Sequence, residues 1–348
     1  MSQTSRSVRV ALVGCGRISK NHFDAIANND VNATLVAVCD IDFKKADTFA
    51  RMYKVSAYND YDAMLQRDDI DAIAICTPSG MHAEMGCKAA RSGKHVICEK
   101  PLALNTKDAS LLIEQCAEKK VQLHVVHQNR FNTTIQYLKR ALDNGRFGNL
   151  YAIQSNVLWS RPQSYYDQDG GWRSTWKMDG GAFMNQAIHY VDSLLYLGGP
   201  VKRVAAIAKT IARKIDVPDS GVVSIEFMNG TLGSMHVSML AYPKNIEGSV
   251  TVLGELGTVK IGGVAINKIE SWQFSSTNDD DKLVLEQSYE TASVYGFGHT
   301  GYYATVLNSI QKGLPPVIDG MTGYRAVEMV CAIHQSSQTG MFVNLAKE

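Results

Sequence analysis

A chain of 348 residues, 45% hydrophobic and 20% charged, is long enough for two domains with cores of their own. Its 35 Lys and Arg against 34 Asp and Glu leave a formal net charge of +1, which argues against nucleic acid or an anionic membrane surface as partner while leaving room for a local basic pocket. No apolar run approaches the roughly 20 residues needed to span a bilayer.

The opening "MSQTSRS" is polar and lacks the apolar core of a signal peptide. The seven cysteines, at 15, 39, 76, 87, 98, 116 and 331, are odd in number and form no C-x-x-C pair. They read as small hydrophobes of a reducing, cytoplasmic compartment, with neither a disulfide framework nor a metal site expected.

Residues 1–127 alternate short apolar runs with helical patterns. Strands are expected at 8–13, 34–40, 71–76, 94–98 and 121–126, and helices at 18–27, 43–53, 82–92 and 106–120. Strands this apolar are buried on both faces, so the prediction is a doubly wound parallel sheet of α/β class. From 128 to 348 the texture changes to period-two runs such as "YAIQSNV", "VVSIEF", "LGSMHVSML", "SVTVLG" and "GTVKIGG". Turn signals at Asn229-Gly230 and Gly254-Glu255 separate them. An α+β domain with a large open, mainly antiparallel sheet is expected, closing with helices near 300–312 and 321–338 and carrying a solvated loop at 276–283.

"ALVGCGRISKNH" directly follows the first strand. Gly14 suits a tight turn, Gly16 suits close approach of a diphosphate, and the helix start offers free N–H groups; the third position of the G-x-G-x-x-G pattern is Ser19. Asp40, at the end of the second strand, is placed to accept the two hydroxyls of an adenosine ribose and to repel a 2′-phosphate, which favours NAD over NADP. The alternative is that Asp40 caps the next turn. Thr77 and Ser79 in "CTPSGMH" stand at a strand C-terminus, as ligand contacts, as a helix cap, or as both.

"CEKPLA" places Lys100 at another strand end, where a buried ammonium is costly unless it has work to do. In "DGGAFMNQAIHYVD", residues Asn185, His189 and Asp192 fall at spacings of four and three. On a helix starting near Ala182 they share one face, with Ile188, Val191, Leu194 and Leu195 on the other. His189 is then a candidate general base, with Asp192 spaced to orient it; the alternative is a satisfied core histidine. Arg161, Tyr165, Tyr166, Trp172, Arg173 and Lys177 crowd the preceding loop, either as a grip on an anionic substrate or as a subunit contact. His299, Tyr302 and Tyr303 open a late helix.

G-x-G-x-x-S, the Glu-Lys-Pro triplet and the G-G-x₇-H segment together resemble the glucose–fructose oxidoreductase/inositol dehydrogenase family over essentially the whole chain. The resemblance implies a Rossmann domain (1–127) that binds NAD and a substrate-binding and oligomerisation domain (128–348), with a sugar oxidised at the nicotinamide between them. It extends the cofactor set to Arg17, Ile18, His82, Glu99, Lys100, Gln128, Trp172 and Arg173, and the substrate set to Lys100, Arg161, Tyr165, Tyr166, Lys177, Asn185, His189 and Tyr303. Lys100, His189 and Asn185 become the catalytic group, and the peptide bond before Pro101 is expected to be cis. "QNRFN", "RPQSYYDQ", "YPKNIEGS" and "VYGFGH" are similar to one branch of the family. That branch oxidises the 3-hydroxyl of UDP-N-acetylglucosaminuronate in bacterial O-antigen synthesis. Many family members carry an aspartate where this chain has Asn185, and removing that charge suits an anionic substrate. The family is usually homotetrameric, and some members recycle NADH with 2-oxoglutarate. Another sugar or cyclitol dehydrogenase, or a dinucleotide-sensing regulator without turnover, are the competing readings.

Overall fold

The computed structural model describes residues 7–27, 32–278, 280–291, 294 and 296–345. Of the sequence stretches discussed above, the N-terminal residues 1–6, Asp279 and Tyr295 lie outside the described residues. The chain divides into two compact units, Met1–Gln128 with His299–Tyr324 and Asn129–Gly298 with Arg325–Glu348.

The first unit begins with β1 (Val8–Val13), α1 (Ser19–Ala27), β2 (Ala33–Cys39), α2 (Phe43–Tyr53), β3 (Ser56–Tyr58), α3 (Tyr61–Leu65) and β4 (Ala72–Ile75). It continues with α4 (His82–Arg91), β5 (His95–Cys98), α5 (Thr106–Glu118) and β6 (Leu123–Val125). The sheet order is β3-β2-β1-β4-β5-β6, and every pair is parallel. All four residues of β4 are fully buried, which is why its apolar run shows no alternation. Side chains start the helices: the Asp42 carboxylate accepts from Lys44 N at 3.1 Å, and Asn105 accepts from Asp108 N at 2.9 Å. The strand order reverses between β1 and β4, so the loops leaving their C-terminal ends flank the crevice where open α/β sheets bind ligands.

The second unit holds α6 (Thr133–Asp143), β7 (Leu150–Leu158), α7 (Gln163–Asp167), α8 (Gly181–Met184), α9 (Ile188–Gly198), β8 (Val201–Lys209), β9 (Ser220–Phe227) and β10 (Leu232–Ser238). Then come β11 (Glu247–Gly254), β12 (Gly257–Gly262), β13 (Lys268–Phe274) and α10 (Asp280–Leu285). α11 (Gly298–Lys312) falls almost wholly in the first unit, and the chain ends with α12 (Gly320–Thr339) and β14 (Val343–Asn344). Eight strands form one sheet in the order β13-β12-β11-β7-β10-β9-β8-β14. Only the β7–β10 pair is parallel. α9 lies against β7 and β11, burying Tyr190, Val191 and Leu194.

Several elements departed from the sequence reading, β3, α3, β8 and α10 among them. β3 and α3 are too short to show a period. β8 mixes half-exposed alanines with charges and lacks clean alternation. Part of the expected 276–283 loop is α10. Lys100–Pro101 is cis, as is Tyr242–Pro243. Six of the seven cysteines are buried, and Cys331 is half-buried. Among the described residues no helix is long and apolar enough to cross a membrane.

Candidate active site

The turn after β1 is fixed by its glycines in two different ways. Gly14 has φ +93°, and a Cβ there would lie 2.6 Å from the Cys76 carbonyl carbon and oxygen and 2.7 Å from Thr77 N. The turn is therefore pressed against the exit of β4, and only glycine fits. At Gly16 a Cβ would meet no protein atom within 4 Å, so the chain there faces open space. Ser19, the departure from the glycine pattern, is fully buried and donates its hydroxyl to the Gly16 carbonyl at 2.6 Å. It holds the turn rather than lining it. Arg17 is exposed and Ile18 half-buried at the start of α1.

Asp40 answers both readings of it. One carboxylate oxygen accepts from Asp42 N at 2.9 Å and so caps the turn; the other accepts from Cys15 N at 2.7 Å, inside the glycine loop. Each oxygen keeps a lone pair for a ribose hydroxyl. The buried Thr77 hydroxyl has no hydrogen-bond partner among the described residues, and Ser79 beside it is buried. An open glycine turn, an acid at the end of β2 and an orphaned hydroxyl at the end of β4 fit an adenine dinucleotide.

At the end of β5, Glu99 is 4% exposed. One oxygen bonds His22 Nε2 at 2.9 Å and the other accepts the Lys100 backbone N–H at 3.0 Å. Burial pushes this carboxyl up, but the His22 hydrogen bond and the charges of His22, Lys100 and His299 outweigh it and bring the pKa to about 2. His22 Nδ1 in turn bonds the Tyr303 hydroxyl at 2.7 Å. Tyr303, expected to touch substrate, is instead fully buried on this network; its hydroxyl serves His22. His299 lies edge-on to His22 at 5.6 Å, and burial followed by repulsion from His22 pushes its pKa down to about 3.

His22, Glu99 and His299 are close enough together to hold a metal ion. Both nitrogens of His22 are already engaged, by Tyr303 and by Glu99, so the cluster reads as a hydrogen-bonded support for Lys100. His82 is similarly committed: its ring nitrogens lie 2.7 Å from the Pro101 carbonyl and 2.9 Å from the Thr77 carbonyl. It ties the β4 loop to the Lys100–Pro101 backbone. Gln128 is buried at the end of this unit.

In the second unit the expected continuous helix is two helices. α8 ends at Met184, Asn185 caps it, and α9 begins at Ile188. Asn185 and His189 are therefore not one turn apart on a single helix. Gly180 and Gly181 both have positive φ, and a Cβ on Gly181 would lie 2.9 Å from the Pro218 carbonyl. The glycine pair admits a neighbouring loop, which accepts from Ala182 N at 2.9 Å. Fully buried Asp179 accepts from Gly181 N at 3.0 Å and from the Asn185 amide.

His189 is 5% exposed near the start of α9. Asp192, expected to orient it, accepts two bonds from Arg130, of 2.8 and 2.7 Å.

In the loop before the glycines, Arg161 lies over Trp159 at 5.0 Å and over Tyr165 at 5.3 Å. The Tyr165 hydroxyl accepts from Gln186 Nε2 at 3.1 Å. Tyr166 is 2% exposed and packs edge-on to Tyr165, so it is a core residue rather than a ligand contact. Arg173 is buried, bonds Asp169 at 2.9 Å and lies 4.4 Å from the Trp172 ring centroid. Lys177 is exposed.

Four residues in these networks escaped the sequence reading: His22, Arg130, Asp179 and Gln186. Each sits inside a stretch noted above, but its partner lies at least six positions away, 77 for His22–Glu99 and 62 for Arg130–Asp192.

Comparison with known proteins agrees with the cofactor geometry. Residues 8–127 match the GFO/IDH/MocA oxidoreductase family's NAD-binding Rossmann fold, and residues 139–345 match its C-terminal alpha/beta domain. A crystal structure of the WlbA dehydrogenase from Bordetella pertussis, in complex with NADH and UDP-GlcNAcA, is 44% identical. It superposes with a TM-score of 0.95, covering 99% of each chain. The Chromobacterium violaceum WlbA dehydrogenase, with the same two ligands, is 43% identical with a TM-score of 0.93, covering 99% of this chain and 98% of its own. Myo-inositol 2-dehydrogenase of Thermotoga maritima is 26% identical, covering 97% of this chain and 98% of its own. With both of its parts matched in order along the sequence, the protein belongs to the GFO/IDH/MocA family of oxidoreductases, and NAD is its cofactor.

Proposed function

We propose that this chain oxidises the C3 hydroxyl of UDP-N-acetylglucosaminuronate to a ketone with NAD. The observation that carries the reading is the 44% identity, spread over 99% of the chain, to a structure holding NADH and UDP-GlcNAcA. At that identity side chains in the site, and not only the fold, are expected to be shared. The inositol dehydrogenases fall lower, at 26% over the whole chain or 34% over 224 residues. Oxidation of a cyclitol or free sugar is the second reading, with which those relatives are consistent.

NAD supplies the hydride acceptor when bound. The chain's own residues supply the proton chemistry and the positioning. Gly14, Gly16, Asp40 and Thr77 form the dinucleotide cradle. His189 takes the hydroxyl proton as general base, a contribution of about 10²- to 10⁴-fold. Lys100 is the cation assigned to stabilise developing negative charge, its backbone anchored by Glu99 and by His82 through Pro101. Asn185 offers hydrogen bonding to the sugar without adding a charge. NADH formation followed at 340 nm with UDP-N-acetylglucosaminuronate, inositol and free hexoses tests the reading. The nucleotide sugar is expected to be the best substrate, and His189→Ala and Lys100→Ala each to lose at least about 100-fold in kcat. Faster turnover of inositol would replace the substrate, and near-wild-type rates in either variant would remove the assigned role.

A further inference from the structure

The second unit carries a pocket of about 820 Å³ that the proposed chemistry does not use. It is lined by the segment that follows β7 (Ser160, Arg161), the turn at Ala212 and Arg213, and the segment Tyr242–Asn245. Its volume lies in the range that small-molecule ligands fill.

The charges there are one-sided. Arg161, Arg213 and Lys244 all line the pocket, and no acidic residue does. Among the described residues none of the three cations is paired with a carboxylate. The acid that organises this wall, Asp219, is fully buried. It is spent on backbone, accepting from Ile211 N at 2.9 Å and from Ala212 N and Arg213 N at 3.0 Å each. The turn that presents Arg213 is thereby held rigid. Arg213 Nε donates to the Arg161 carbonyl at 2.7 Å, and Arg161 Nη1 to the Ser160 carbonyl at 2.9 Å. Two guanidinium groups are thus set on neighbouring backbone with N–H groups left over, the arrangement that grips phosphate oxygens. Beside them Tyr242 is 90% exposed, an aromatic face on which a base can stack.

The pocket also leads toward the residues assigned to the sugar. Arg161 stacks on Tyr165, the Tyr165 hydroxyl accepts from Gln186, and Gln186 directly follows Asn185, three positions before His189.

We propose that this pocket is the subsite for the nucleoside diphosphate half of the substrate, with Arg161, Arg213 and Lys244 on the diphosphate and Tyr242 against the base. The assignment rests on the nucleotide-sugar reading above and extends it to residues outside the reacting centre.

Calorimetric titration of UDP alone into the NAD-saturated protein tests the pocket separately from turnover. Arg213→Ala with Lys244→Ala is expected to weaken UDP binding about tenfold or more, because two charge-assisted contacts are lost. KM for UDP-N-acetylglucosaminuronate should rise by a similar factor while kcat moves little. Tyr242→Ala should weaken UDP binding but not that of inorganic diphosphate. Lys244→Glu, at an exposed position, gives a loss of UDP affinity without reliance on the double variant folding. Unchanged UDP affinity in the double variant overturns the subsite even if the nucleotide sugar is turned over. If the wild-type protein fails to oxidise the nucleotide sugar, the function falls, and the UDP titration still decides the pocket: tight UDP binding lost in the variants upholds it, and no UDP binding overturns it.

Discussion

Asn185 shows how a single buried contact limits what a position can carry. Its amide faces the carboxylate of fully buried Asp179. An aspartate there would set two like charges about 4 Å apart, which costs on the order of 4 kcal/mol at an effective dielectric of 20 unless one carboxyl stays protonated. Asn185→Asp is therefore expected to lower Tm at pH 7 and to recover part of the loss near pH 4.5, as a proton joins the pair; equal Tm deficits at both pH values would contradict this. Part of the advantage of Asn185 thus lies within the fold, in addition to any benefit to an anionic substrate. Glu99 is the opposite case, a buried carboxylate kept charged by its partners. Its stabilisation is present above pH 4.5, the ordinary carboxyl value, and is lost as pH falls through about 2.

At the scale of elements, the two glycines of the first turn separate fold from ligand. Gly14→Ala drives a Cβ into the β4 backbone at a positive φ, so it is expected to destabilise the first unit and to lose NAD together. Gly16→Ala meets no protein atom. It is expected to leave Tm of the free protein within about 1 °C and to weaken NAD binding, since only the dinucleotide would meet the methyl. Thermal melts with and without NAD distinguish the two. α9 has its own anchor in the Arg130–Asp192 pair, whose carboxylate side is 1% exposed. Removing one partner of a buried pair leaves a charge uncompensated. Arg130→Ala is expected to cost about 3–5 kcal/mol, read as a shift in denaturant midpoint, and a cost under about 1 kcal/mol would show the pair to be dispensable.

Across the whole molecule, buried His124 and His299 and half-buried His334 set the response to acid. Burial pushes His124 and His299 down to about 3 and His334 down to about 4. A depressed imidazole binds its proton more readily in the unfolded chain. Stability is therefore full above pH 6.5 and falls as pH drops toward the folded values. By pH 5 each such group costs up to about 2 kcal/mol. Tm measured between pH 8 and 5 should fall on the acid side, and His334→Gln should flatten that fall. A pH slope unchanged in His334→Gln would remove that histidine from the response.

The α/β alternation, the parallel order of the first sheet and the glycine turn were legible because each follows from short-range pattern: apolar runs, a turn at a strand end, an acid one strand later. The second sheet was legible as a class, but β8 escaped because its alternation is diluted by half-exposed alanines. The helix break at Asn185 escaped for a related reason. The apolar spacing of "GGAFMNQAIHYVD" suits one helix, and the break is visible only in the backbone, where Asn185 caps α8 and Ala187 precedes α9.

The sequence alone determined which chemical groups are present and, through local propensity, which strand ends and turns present them. Tertiary structure decided which partner each group has. Tyr303 went to His22, Asp192 to Arg130 and Asn185 to Asp179. A buried polar group must find a complementary atom wherever the packed chain brings one. With partners as many as 281 positions apart, no local period records the choice.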